Sequence, residues 1–414
     1  MHIAHLFVSW HVLVWVARAG LLLLCSAASA YYLFCIFAAK EFFERSGTVD
    51  RGFQPPLTVL KPIRGLDPQA ERNLTSFCLQ DYPDYEIIFG VQDEDDPAVS
   101  VVQRIIRDFP EKRIRLVIGA LPVGTNPKVN NLARMLPEAR HPLLLLSDAD
   151  IRVGPDHLHS MVQPLKDSGV GVVTCLYRSH GRGLAGRIDA LGLSAEFQPS
   201  VLVARKVEGI RFAMGSGILI RRSVLEAVGG LAAVADYLAD DYLFGLLPTR
   251  AGYRVELACE VVDHSLATRR FVDLARHQLR WNRGIRVSRP WGYAGLAFTQ
   301  GTAASLLLLA LQTPPLLGWS VCAATVGLRL LMARIVAGRF LNDEEVARSL
   351  WLVPLRDLVS FSLWVFGFLG NTIEWRGRKF RLQADGKLLP LTAGTERAPR
   401  PAPASLEVSQ SSPE

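Results

Sequence analysis

Leu143-Leu144-Leu145-Leu146-Ser147-Asp148-Ala149-Asp150 is the stretch whose reading decides the fold. Four leucines in a row, closed by a polar turn, read as a strand buried on both faces, the kind that parallel sheets contain. Side chains alternate in extended backbone, so Asp148 and Asp150 leave the strand end toward the same side. Upstream, 57–59, 85–91 and 114–118 are β-like, while 69–79, 98–109 and 127–136 carry helical spacing, the last with Pro127 in its first turn. This alternation predicts a parallel sheet with helices on both faces, an α/β domain whose ligands bind at the carboxyl ends of the strands. Asp93 and Asp148 both fall at such ends, which puts two carboxylates on one rim.

The chemistry follows from that rim. Asp-x-Asp alone is a common solvated turn, but after a buried strand Asp148 and Asp150 are placed to hold a divalent ion that keeps its other positions for diphosphate oxygens. Asp93, within Gln92-Asp93-Glu94-Asp95-Asp96-Pro97, is placed to accept hydrogen bonds from a nucleobase or ribose, while Asp95 or Asp96 caps the following helix. In Ala239-Asp240-Asp241-Tyr242 one acid caps a helix and the other, Asp241, is the candidate general base for an attacking hydroxyl. Lys128 sits at a helix start, where its charge and the free backbone N–H groups suit phosphate as well as a plain surface lysine would suit solvent. His277-Gln278-Leu279-Arg280-Trp281 lies on a basic amphipathic stretch. Arg280 is a candidate pyrophosphate clamp and Trp281 a wall of an acceptor pocket.

Half of the 414 residues are apolar and 21% are charged, which is too oily for an ordinary two-domain soluble enzyme. The apolar excess concentrates near the N-terminus and after Trp291. Residues 20–39 are long enough to cross a bilayer. No Lys or Arg precedes Arg18, whereas Lys40, Arg45 and Arg51 follow, so an uncleaved anchor with the domain inside fits better than a signal peptide. Further apolar stretches cover 292–311, 315–336 and 350–370. Three crossings would leave the basic run that begins at Trp375 on the wrong side, so 350–370, with its adjacent Arg356 and Asp357, is expected to be re-entrant or interfacial, its ion pair available to the site or merely structural. The net charge of +7 gathers beside the membrane stretches, and no stacking aromatics interleave a basic groove, which argues against nucleic acid. Six cysteines without a CxxC pair indicate neither zinc nor a disulfide framework.

With these residues laid out, the chain resembles the ceramide glucosyltransferase family, a membrane branch of family 2-like glycosyltransferases classed as family 21. The resemblance rests on Leu60-Lys61-Pro62-Ile63-Arg64-Gly65-Leu66-Asp67-Pro68, Asp81-Tyr82-Pro83, residues 91–98, Asn126-Pro127-Lys128-Val129-Asn130-Asn131, Gly229-Gly230-Leu231, residues 238–242, Arg280-Trp281 and residues 375–382, in order over about 55–385. It implies a GT-A (Rossmann-like) fold, a UDP-sugar donor, Mg²⁺ or Mn²⁺, and inversion at the anomeric carbon. It assigns Asp93 to the nucleotide, Asp148 to the metal and diphosphate, Asp241 to the base, and Arg280 and Trp281 to the last motif. Three positions depart from the animal pattern: Asp148-Ala149-Asp150 replaces Asp-Ser-Gly, Gln198-Pro199 replaces His-Pro, and His277 opens the last motif. The chain is similar as well to bacterial hopanoid-associated relatives, which implies N-acetylglucosamine and a polyhydroxylated hopanoid as an alternative pair.

The expected organisation is an anchor at 1–45, the GT-A domain at 50–270, a basic interfacial helix at 271–291, membrane segments at 292–375, a basic tail at 376–394 and a disordered tail at 395–414. The expected setting is the bacterial inner membrane, with the domain facing the cytoplasm. The expected partners are a UDP-sugar, a lipid acceptor from the bilayer and the membrane itself. A processive polysaccharide synthase would need more apolar segments for a channel, and a non-catalytic scaffold would have no use for four converging acids.

Overall fold

The computed structural model describes residues 2–391 apart from Arg45, Ser46, Thr48, Pro68, Arg376 and Gly377, with side chains from residue 11 onward; the tail at 395–414 lies outside them. Strands β1 (Leu57–Ile63), β2 (Tyr85–Val91), β3 (Ile114–Ile118), β4 (Leu143–Leu146), β5 (Ile151–Arg152), β6 (Val170–His180), β7 (Ile218–Arg221) and β8 (Arg254–Ser265) form one sheet in the order β3-β2-β1-β4-β7-β6-β8-β5. From β3 to β4 every pairing is parallel, with Leu57 opposite Leu143 and Leu60 opposite Leu146. The intervening helices Ala70–Cys78, Ala98–Asp108 and Pro127–Met135 match the expected alternation. Beyond β4 the sheet is mixed, because β7 runs antiparallel to both of its neighbours. The chain winds outward from β1 in both directions, so a crevice opens at the carboxyl ends of β1 and β4, the switch point where such sheets bind ligands.

The N-terminal helix runs from His2 to Glu44, longer than the apolar stretch alone demands. At 1.5 Å per residue it is about 65 Å long, roughly twice the hydrocarbon thickness of a bilayer. Ala28, Tyr32, Cys35, Ala39 and Phe42, spaced four and three apart, form one helix face that joins the same core as the sheet. The anchor is therefore packed onto the α/β domain rather than tethered to it.

Pro315–Phe340 and Leu350–Gly367 are each long and apolar enough to cross a membrane, as is His11–Glu44. Leu350–Gly367, expected to be re-entrant or interfacial, is thus long enough to span, while Pro290–Thr299 and Gly301–Ala310 meet at a 58° bend that makes them a broken span or a re-entrant loop. Tyr32 explains where the break falls. Its hydroxyl donates to the Thr299 carbonyl at 2.8 Å and accepts from the Gly301 N–H at 3.2 Å, so the groups freed by the bend are satisfied inside the bundle. A Cβ at Gly301 would stand 2.8 Å from the Ala28 Cβ, and only glycine permits that approach.

Arg356 and Asp357 do not pair with each other, contrary to the sequence reading. Neighbours on a helix point about 100° apart, and Asp357 accepts from Arg329 at 2.9 Å while Arg356 turns to Glu196 at 3.1 Å. The expected basic tail at 376–394 extends a small folded element. Its described part is folded, with β9 (Thr372–Trp375), β10 (Arg378–Leu382) and β11 (Leu388–Pro390) making a small antiparallel sheet. That sheet docks on the loop before Asp240, where the Leu388 N–H meets the Asp236 carbonyl at 2.8 Å.

Candidate active site

Strand β4 delivers Asp148 and Asp150 to the crevice, and the surrounding backbone fixes them there. The Asp148 N–H donates to the Gly215 carbonyl at 3.0 Å. Buried Lys61 donates to the Asp148 carbonyl at 2.5 Å and to the Ser147 hydroxyl at 3.2 Å, with its ammonium over the Phe77 ring. Burial lowers the Lys61 pKa to about 7. A Cβ on Gly215 would lie 2.2 Å from Asp148 Oδ2, so the second carboxylate oxygen occupies space that only glycine leaves open.

Lys128 sits between two acids, 2.7 Å from Asp148 Oδ1 and 3.2 Å from Asp240 Oδ2. Burial works to lower its pKa, but Asp148, Asp240 and Asp241 together raise it. The backbone donors expected at this helix start are not free: the Asn126 side chain accepts from the Lys128 and Val129 N–H groups, so Lys128 acts through its ammonium alone. Burial raises the Asp148 pKa; Lys128 opposes this and Asp150 adds to it.

The pair Asp240-Asp241 opens the helix Asp240–Arg250, and its members divide. Asp240 is buried against Lys128 and takes a hydrogen bond from Asn126 at 3.4 Å. The Asp241 carboxylate accepts from the Tyr242 N–H at 2.8 Å and faces the cavity. Burial, then repulsion from Asp240, pushes the Asp241 pKa up to about 6, against the pull of Lys128. That value suits a carboxylate that collects a proton near neutrality.

Asp148, Asp150, Lys128, Asp241, Arg280 and Trp281 line one cavity of about 1040 Å³. Asp93 does not. It is exposed at the end of β2, while its neighbour Gln92 lines the cavity and Asp96 ties the loop after β1 by accepting from the Gly65 N–H at 2.8 Å. Trp281 stands edge-on to Phe197 and to His277, at 5.4 and 5.6 Å between ring centres. The cavity does not stop at the rim. It continues past this aromatic wall to Tyr32, Thr302, Arg329, Arg356 and Asp357 among the membrane helices.

Sequence reasoning missed several residues here. His264, at the end of β8, places Nε2 3.4 Å from Asp150 Oδ2 and contacts the Ser179 hydroxyl through Nδ1 at 3.0 Å. Asp189, fully buried, accepts from Thr268, Gln278 and His277 at 2.7, 2.6 and 3.0 Å and so fastens the helix Phe271–Ser288 that carries Arg280 and Trp281. Burial opposes its ionisation, yet these three contacts hold its pKa down to about 2. Its one legible signal was a lone acid in the apolar run Gly183–Gly192. Among the described residues no three His, Cys, Asp or Glu side chains already converge as a metal cage. Asp148, Asp150 and His264, the last 3.4 Å from Asp150, are oxygen and nitrogen donors of the types that Mg²⁺ or Mn²⁺ accepts, but they are not gathered into a site.

A family model described as Glycosyl transferase family 21 matches residues 20–388. Ceramide glucosyltransferase 1 of Caenorhabditis elegans is 27% identical over 345 residues, covering 81% of this chain and 73% of that protein. A ceramide glucosyltransferase of Komagataella phaffii is 35% identical over 147 residues, 34% of this chain and 28% of the other. Among solved structures, the mannosyltransferase PcManGT from Pyrobaculum calidifontis, in complex with GDP-Man and Mn²⁺, superposes with a TM-score of 0.54 at 18% identity, covering 85% of this chain and 99% of that one. This likeness carries the GT-A fold.

Proposed function

The chain belongs to glycosyltransferase family 21 and is a hexosyltransferase, and from that premise we propose that it moves a hexose from a UDP-sugar to the hydroxyl of a membrane lipid, with inversion. The observation that carries this reading is the single cavity running from Asp148 and Asp241 to Tyr32 and Arg356. A donor can enter at the open rim of the sheet, and a lipid head can enter from between the helices, without either crossing the other's path.

In this reading the acceptor hydroxyl attacks the anomeric carbon and gives its proton to Asp241. The bond from that carbon to the UDP oxygen breaks on the opposite face, so one base suffices and the configuration inverts. Lys128 and Arg280 offset the charge of the diphosphate, and Trp281 with Phe197 walls the acceptor from water. Gln92, which lines the cavity, and Asp93 beside it are the residues proposed to meet the nucleoside. Mg²⁺ or Mn²⁺ would be held by Asp148 and Asp150, with His264 beside them, and would stabilise the charge on the departing diphosphate.

Ceramide as acceptor and glucose as the sugar are favoured by the relatives' names, with UDP-glucose the donor proposed here, and UDP-N-acetylglucosamine with a polyhydroxylated hopanoid is the alternative. The setting proposed is the bacterial inner membrane with the rim facing the cytoplasm, where basic residues follow the anchor. A matrix of these two donors and two acceptors, scored by the glycolipid formed, tests the reading. One acceptor-dependent product is expected; a polymer, or hydrolysis of the donor without any glycolipid, would overturn it.

A further inference from the structure

The far end of the cavity holds an arginine that the reaction as described does not use. Arg356 is 3% exposed and lies against Gly192, where a Cβ would stand 2.2 Å from its Nη2. Its protein partners all converge on that one nitrogen: Nη2 donates to Glu196 Oε2 at 3.1 Å and to Gln278 Oε1 at 3.3 Å. Nε and Nη1 are buried and have no hydrogen-bond partner among the described residues. Unpaired donors on a buried guanidinium are costly, and such groups are otherwise paired almost without exception. Yet the side chain is held in place by Glu196, Gln278 and the close approach of Gly192. Ser360 donates to the other oxygen of Glu196 at 2.6 Å, and Gln278 belongs to the helix that carries Arg280 and Trp281.

The charges around it define what it can take. Arg356 is matched by Glu196 and Arg329 by Asp357, and Asp189 is a further acid beside His277. Cations do not outnumber acids at this end, so a phosphate would bring a charge that nothing here neutralises, at a depth where uncompensated charge is expensive. An uncharged oxygen needs no such compensation. Resting on the lipid-acceptor reading above, we propose that Arg356 is the acceptor-reading residue: its Nε–H and Nη1–H donate to a neutral oxygen, an amide carbonyl or a second hydroxyl, that lies near the reacting hydroxyl in the lipid head. Acceptors with that second oxygen are selected, and phospholipid heads are refused.

The test compares transfer by purified full-length protein in nanodiscs to four probes. They are ceramide (amide oxygen), a polyhydroxylated hopanoid (hydroxyl oxygen), hexadecanol (no second oxygen) and phosphatidylglycerol (a hydroxyl beside a phosphate). Arg356→Lys keeps the charge opposite Glu196 but loses the planar donors, and Gly192→Ala keeps the arginine but forces it to move. Both variants are expected to raise the KM of the preferred acceptor by about 10- to 100-fold, leave the affinity for UDP unchanged, and narrow the gap to hexadecanol. Whichever of ceramide and hopanoid is affected identifies the oxygen. Equal loss on every accepted probe, or efficient transfer to phosphatidylglycerol by the unaltered protein, overturns the proposal alone. Absence of transfer to all four probes, with UDP still bound, overturns the lipid-acceptor reading and this inference with it.

Discussion

The two ends of the cavity handle charge in opposite ways. At the rim, Asp148, Asp240 and Asp241 crowd around Lys128, and Asp150 adds its charge beside Asp148. The acids outnumber the cations that face them, and two of them have raised pKa values as a result of burial and mutual repulsion. At the membrane end each arginine has its own acid, Arg329 with Asp357 and Arg356 with Glu196. An excess of negative charge that opens to solvent calls for an incoming cation and a proton. Balance is the condition for placing charge among apolar helices at all. In the proposed reading this difference separates a chemical end from a recognition end, although the same residue types build both.

The strongest way to break this comparison is at Asp241. Asp241→Asn should lower turnover by at least 1000-fold while UDP binding, followed by calorimetry, persists. The same variant bears on stability. Because the folded-state pKa of Asp241 is raised to about 6, the native protein holds this proton more tightly than the unfolded chain, and stability is lost as pH rises through that range. Above pH 7 the asparagine variant should therefore be more stable, by on the order of 2 kcal/mol, in a thermal or denaturant scan. Turnover of the unaltered enzyme should fall about tenfold per pH unit below about 6 and level off above it.

At the membrane end the expectation is the reverse. Arg329→Met leaves Asp357 as a buried, unpaired acid and should destabilise by about 3–5 kcal/mol, whereas Arg329→Met with Asp357→Leu should recover most of that loss. A double variant as unstable as the single one would mean that the pair contributes through shape rather than charge. A smaller effect is expected at Gly215→Ala, whose methyl would displace Asp148 Oδ2, held now at 2.2 Å from that position. UDP-sugar KM should rise about tenfold with the fold intact by circular dichroism. Smallest of all, Arg348→Ala removes an ion pair with Glu344 whose two side chains are 76% and 75% exposed, and should shift stability by less than about 0.5 kcal/mol.

The rim was legible in the sequence because its signals are local. The strands β2, β3 and β4 and the turn after β4 are each written in consecutive residues, so Asp148, Asp150 and Asp241 could be placed by strand ends and helix starts. The membrane end was not, because its contacts join residues far apart in the chain. Tyr32 meets Thr299, Arg356 meets Glu196, and Arg329 meets Asp357 only after the helices have packed. Adjacency even misled, since Arg356 and Asp357 read as a pair and diverge on the helix. The bend at Gln300 was missed for the same reason: the residue that stabilises it lies on the N-terminal helix. His264 and Asp189 carried no motif, only a position fixed by long-range pairing, β8 against β5 for one and Phe271–Ser288 for the other.

The central claim, that Asp241 deprotonates a lipid hydroxyl within one shared cavity, is tested most directly by single-turnover transfer from UDP-glucose to ceramide in nanodiscs, alongside UDP binding, for the unaltered protein and Asp241→Asn. The account predicts that transfer vanishes in the variant while UDP affinity stays within about twofold. Loss of transfer and UDP binding in equal measure would contradict it and assign Asp241 to holding the donor.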